Sequence, residues 1–228
     1  MLDAVLEFLT KGDSFVAIEF LSQQDDPLVA ADVYNKALKQ LYYEEKDIQT
    51  VIYMGRAGIQ HSLSSATAVG MDVGRARELK DRARAIAYNV ASYTWPGWDE
   101  PGIDLGRSEV AQGLDAAAAA ARLSAELRMD TIGQSRSIWM LAAQQMAAGD
   151  LAEAAGNFKK AAELARTAEA PAEAMLSDGY ATLVSLLASP DDSAVEARYM
   201  DVKRQLTAEE DGQFFIEQLD TARRVFSS

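Results

Sequence analysis

Apolar side chains recur along this chain at helical spacing, and sustained polar-apolar alternation of the strand kind is nearly absent. The clearest stretch is 137–165, SIWMLAAQQMAAGDLAEAAGNFKKAAELA. On its first half Ile138, Leu141, Ala142 and Gln145 fall on one helical stripe. On its second half Leu151, Ala154, Ala155, Phe158, Ala161 and Ala162 do the same. Each predicted helix therefore has one seam for a partner. Alanines at 142, 154 and 161 permit close backbone approach, and Phe158 fills the space between the axes. Between the helices, Gly149 suits the positive φ of a helix end and Asp150 suits the cap of the next helix.

The same pairing extends to the rest of the chain. A short hairpin is predicted over 2–24, with Lys11-Gly12-Asp13 as its turn and Ala17 and Leu21 behind it. Helices over 28–43 and 47–65 follow, joined at Glu44-Glu45-Lys46 without a glycine. A longer pair is predicted over 73–93 and 105–128, and another over 170–188 and 193–206. The segment 209–226 reads as a terminal helix covering an exposed end. Turns then lie near residues 12, 46, 100, 149 and 190, spaced by roughly 34, 54, 49 and 41 residues.

The 137–165 hairpin resembles a tetratricopeptide repeat (TPR). It matches that pattern at Leu141, Ala142, Ala154, Phe158 and Ala161 and departs from it at Ile138, Gln145 and Arg166, where Trp, Tyr and Pro are usual. The resemblance implies an all-α, right-handed TPR-like α-solenoid. It would have about five helical hairpins and a C-terminal capping helix, with 1–228 as one domain. It also implies that the first helix of each hairpin lines a concave face. In the best hairpin that face would be Arg136, Trp139, Met140, Ala143, Met146 and Ala147. Trp and Met suit an adaptable apolar groove, and Arg136 suits a carboxylate or phosphate at its rim. The alternative for Trp139 and Met140 is core between neighbouring hairpins.

Charge narrows the function classes. A formal net charge of −13 opposes nucleic acid and anionic membranes as partners. No apolar window approaches the length of a membrane span, and Met1-Leu2-Asp3-Ala4 lacks a basic region followed by an apolar core, so a cytoplasmic location is expected. With 0 cysteines and 1 histidine, thiol catalysis, disulfides and His-rich metal sites fall away. A Ser-His-Asp triad would have to use His61, which reads as a histidine near a helix end, favourably placed on the dipole. The acidic pairs Glu44-Glu45, Asp191-Asp192 and Glu209-Glu210 read as helix-starting or turn carboxylates.

Two further features bear on binding. Arg75, Arg77, Lys80, Arg82 and Arg84 form a basic run interrupted by Glu78 and Asp81. Arg77, Lys80 and Arg84 share one helical face, with Asn89 further along. It is either an anion-binding patch for an acidic peptide or a solvated face paired with acidic neighbours. The stretch 95–102, WPGWDEPG, interrupts the helical rhythm, as a fold-back over a helix end or as a contact loop presenting Trp98. The expected function is a non-enzymatic protein- or peptide-binding scaffold with no cofactor and no metal. The alternatives are structural homo-oligomerisation and a helical domain sensing a small molecule.

Overall fold

The computed structural model describes residues 1–68, 70 and 72–227. It is all-α, and its described residues form no strand. Among the described residues eleven α-helices follow in order: α1 (Leu2–Thr10), α2 (Ser14–Ser22), α3 (Pro27–Gln40), α4 (Ile48–Ala66), α5 (Val73–Tyr93), α6 (Arg107–Glu126), α7 (Thr131–Ala148), α8 (Leu151–Thr167), α9 (Pro171–Ala188), α10 (Ser193–Leu206) and α11 (Gly212–Phe226). A π-helical turn (Leu41–Glu45) follows α3, and a 3-10 turn (Pro96–Trp98) precedes α6.

Aspartates start many of these helices. The carboxylates of Asp13, Asp26, Asp47, Asp72, Asp130 and Asp192 each accept a backbone N–H in the first turn of the helix that follows. Much of the acidic excess is thus local structure. Asp150 differs from its expected role: its side chain caps nothing, and α8 begins with Ala154 N–H donating to the Asp150 carbonyl at 3.0 Å.

The ends of α7 and α8 share one device. After α7 the N–H of Asp150 donates to the Gln145 carbonyl at 2.9 Å and that of Gly149 to Met146 at 3.1 Å, with Gly149 at φ 89°. This is the Schellman arrangement, which satisfies two of the carbonyls orphaned by a helix end. The α8 end repeats it with Glu169, at φ 56°, where glycine is usual: Ala170 N–H reaches Ala165 O at 3.0 Å and Glu169 N–H reaches Arg166 O at 3.1 Å.

Contacts divide the chain into two compact units. The first comprises Met1–Thr94 and Asp115–Arg128, the second Trp95–Leu114 and the chain from Met129 onward. In the first, α3, α4 and α5 pack mutually around Tyr34, Leu38, Val51, Met54, Leu79 and Ile86, all fully or almost fully buried, with α1 and α2 laid against α3 and α4. Tyr42 and Tyr93 stack at 4.2 Å between ring centroids.

In the second unit α7, α8, α9 and α10 pack in sequence, and α11 lies on α9 and α10. Ala142, Ala154, Phe158, Ala161 and Ala162 are wholly inside, so the α7–α8 seam runs through the alanine and phenylalanine positions that the pattern marked. Buried Ser135 ties the two helices by donating to the Ala161 carbonyl at 2.8 Å. Gln145, standing where the repeat pattern has Tyr, accepts from the Asn157 amide at 2.8 Å. The helix α7 begins at Thr131, six residues before the stretch that declared the hairpin, because Asp130 caps it through Gly133 N–H at 2.9 Å.

His61 is half-buried in α4, 5.9 Å from the Tyr34 ring. Desolvation lowers its pKa below 6.5, outweighing a backbone hydrogen bond at Pro27 that acts the other way. Burial, more than the helix dipole, sets its charge. Because the unfolded chain takes up this proton more readily than the fold, stability is complete above about pH 6.5 and declines below it. The decline ends once the folded pKa is passed. Urea midpoints at about pH 7.5 and pH 5.5 are therefore expected to differ more in the wild type than in His61→Gln. Equal differences would contradict this assignment.

Candidate functional site

The basic run on α5 meets its partners inside the first unit. Arg75 pairs with Asp26 at 2.7 Å, Lys80 with Glu126 at 2.5 Å, Arg82 with Asp32 at 2.6 Å and Arg84 with Asp81 at 2.7 Å. Arg77 donates to the Leu127 carbonyl at 2.5 Å, and the Asn89 amide donates to Asn35 Oδ1 at 2.7 Å. The Lys80 hydrogen bond holds the Glu126 carboxyl below its usual range. Arg75, Arg77, Lys80, Arg82 and Asn89 tie α5 to neighbouring segments and Arg84 pairs within α5; the structure does not display Arg77, Lys80, Arg84 and Asn89 as an open anion patch. Each such pair at the surface contributes at most about 1 kcal/mol.

The α7 positions expected on a concave face lie mostly inside. Met140 and Ala143 are fully buried, Met146 nearly so, and Trp139 is 8% exposed. Trp139 stands among aromatic rings, 5.5 Å from Trp95, 5.1 Å from Tyr180 and 6.1 Å from Phe158. Of the two readings for Trp139 and Met140, the core is the one the packing follows. Arg136 is exposed and forks onto Glu173, with Nη2 to Oε1 at 2.6 Å and Nε to Oε2 at 3.1 Å.

The 95–102 stretch folds back into the second unit. Trp95 is buried and its indole N–H donates to the Ala143 carbonyl at 3.1 Å. Trp98 is half-buried, its ring 4.7 Å from that of Trp95. Gly97 lies so close to the Trp95 indole that a Cβ there would sit 2.3 Å from its ring. A side chain at 97 would thus push the turn off the indole.

That fold-back leaves a cleft beside it. Pro96, Leu105 and Gly106 ahead of α6, Arg107, Val110, Ala111 and Leu114 on it, and Met146 to Gly149 at the end of α7 enclose about 510 Å³. This lies within the size range of ligand sites, roughly 300–1,000 Å³. Leu105, Val110, Leu114 and Met146 make its walls apolar, while Ala111, Ala147 and Ala148 keep it open. Among the described residues, Arg107 is the only charged side chain that lines it. It is exposed, and it enters no ion pair among the described residues. Glu109, two residues on, is engaged at the start of α6: Oε2 accepts from Gly106 N–H at 2.9 Å and Oε1 from the Ser108 hydroxyl at 2.7 Å.

No protein-family model matches this chain, and no curated protein matches it significantly. Among the described residues, no group of three or more His, Cys, Asp and Glu side chains is placed to hold a metal ion, and no helix is long and apolar enough to cross a membrane. Of the residues expected on the concave face of α7, Met146 and Ala147 line the cleft. Its remaining walls follow a visible pattern: Arg107, Val110, Ala111 and Leu114 recur at spacings of three and four on one face of α6.

Proposed function

We propose that this chain is a non-enzymatic binding module, a TPR-like right-handed solenoid of about five helical hairpins with α11 as its cap, which takes a peptide segment of a partner protein. The observation that supports this reading is the cleft. Its walls are largely aliphatic and carried mostly on α6 and α7, and among the described residues its lining contains no nucleophile and no acid-base pair, which suits holding a ligand more than transforming one. The Ala-lined packing of α7, α8 and α9 supports the repeat reading, since small residues at such seams let successive helices stack closely. The reading moves the binding surface from the middle of α7 to its C-terminal end and the first half of α6.

The test is selection of displayed random heptapeptides on the purified chain, followed by titration on the wild type and on Ala111→Trp. Ala111 is exposed on α6 at the cleft, so an indole there fills the space without disturbing the core. Enriched peptides are expected to bind the wild type and to lose about tenfold or more on the variant. Equal binding to both proteins, or no enrichment, would contradict the proposal.

A further inference from the structure

We infer that the segment this cleft takes carries an apolar residue beside a single acidic side chain, in a sequence otherwise neutral or basic; the inference rests on the binding reading above. Four observations converge on it. Arg107 lines the cleft and pairs with no carboxylate among the described residues. A guanidinium so placed gains a charge-assisted, two-pronged hydrogen bond when a carboxylate arrives.

The α7 part of the lining asks for donors. At the end of α7 the carbonyls of Gln145 and Met146 accept from Asp150 and Gly149, but no described N–H donates to those of Ala147 and Ala148, both of which line the cleft. A polypeptide supplies main-chain N–H groups there; a simple fatty or aryl acid has none. In the same lining, Val110, Leu114 and Met146 offer aliphatic surface to one side chain, and the unbranched thioether of Met146 adapts to its shape. The chain's net charge of −13 then sets the rest of the segment. One carboxylate is matched by Arg107, while further acids would meet a repelling field and basic residues an attracting one.

The experiment is a cycle on one pair of groups. From the selected heptapeptides the tightest binder is synthesised with capped ends, together with its Glu→Gln or Asp→Asn form, and both are titrated into the wild type and Arg107→Gln. Arg107 is exposed and holds no partner among the described residues, so the variant is expected to keep the wild-type unfolding midpoint. The inference expects an acid next to an apolar residue in the enriched sequences. It also expects a loss of about tenfold on neutralising that acid with the wild type, and no loss with Arg107→Gln. Enriched peptides without an acid, or a loss that persists in Arg107→Gln, would overturn it. If such peptides still fail on Ala111→Trp, the binding module survives and only its chemistry is changed. No enrichment at all would end both. Octanoate is the remaining arm: if it displaces the peptide and binds at least as tightly, the occupant is a small acid and the peptide assignment is overturned.

Discussion

Replacing Trp95 with alanine is expected to cost about 3–5 kcal/mol of stability, the range for truncating a large aromatic ring in a packed core. Trp95 is 1% exposed, and its ring lies 4.7 Å from Trp98, 5.5 Å from Trp139, 5.8 Å from Tyr180 and 6.3 Å from Phe226. Removing it opens a cavity among four rings that their own packing prevents from closing. It also strips the Ala143 carbonyl of its indole donor, a further cost of about 1 kcal/mol at a buried site. Against a typical total of about 5–15 kcal/mol this is a large fraction. Trp98→Ala, at a half-buried site, is expected to cost less than half as much. Urea unfolding followed by circular dichroism measures both. A Trp95→Ala midpoint close to that of the wild type would contradict the role given to the 95–98 fold-back.

The second large effect is expected at Gly58, in α4. A Cβ at this position would lie 2.9 Å from Tyr34 Cβ and Cγ on α3 and 3.2 Å from Ile86 Cδ1 on α5. Gly55, one turn earlier, is tighter still, at 2.2 Å from Val90 Cγ2. The three helices approach here because α4 presents no side chain. Gly58→Leu gains up to about 1 kcal/mol of helix propensity but drives four carbons into fully packed Tyr34 and Ile86. Overpacking of this kind costs about 1–3 kcal/mol and more where backbone must move, so a net loss of about 2–3 kcal/mol is expected. Gly156→Leu is the matched control: it is exposed on α8 with open space around its Cβ direction, and is expected to stabilise by up to about 1 kcal/mol. Equal midpoints for the two variants would contradict the close packing of α4.

The helices were legible where one face differs from the other. The α7–α8 hairpin could be read from Ala142, Ala154, Phe158 and Ala161 and from its glycine turn, and Gly12 marked the α1–α2 turn in the same way. The turn at Glu169 gave no such signal, because its left-handed residue is not glycine. The middle of α7 was not legible. Ser135, Ser137, Trp139, Met140, Ala142, Ala143, Gln144 and Met146 are all buried, so the helix is covered on several sides and periodicity cannot separate a groove from a core.

The basic run was opaque for another reason. Asp26, Asp32 and Glu126 satisfy cations about fifty positions away in sequence, a distance at which no local pattern applies. The cleft depends on tertiary placement too, since Pro96, Val110 and Met146 meet only once the 95–98 turn has folded back. Its α6 wall alone was visible beforehand, as Arg107, Val110, Ala111 and Leu114 on one helical face.

Amide chemical-shift mapping on the isotopically labelled chain, with the tightest selected heptapeptide added stepwise, tests the binding account most directly. The account predicts shifts concentrated at 105–114 and 146–149, saturating with the peptide and absent from Ala111→Trp. Shifts centred on 77–89 or 136–143, with the cleft unmoved, would contradict it.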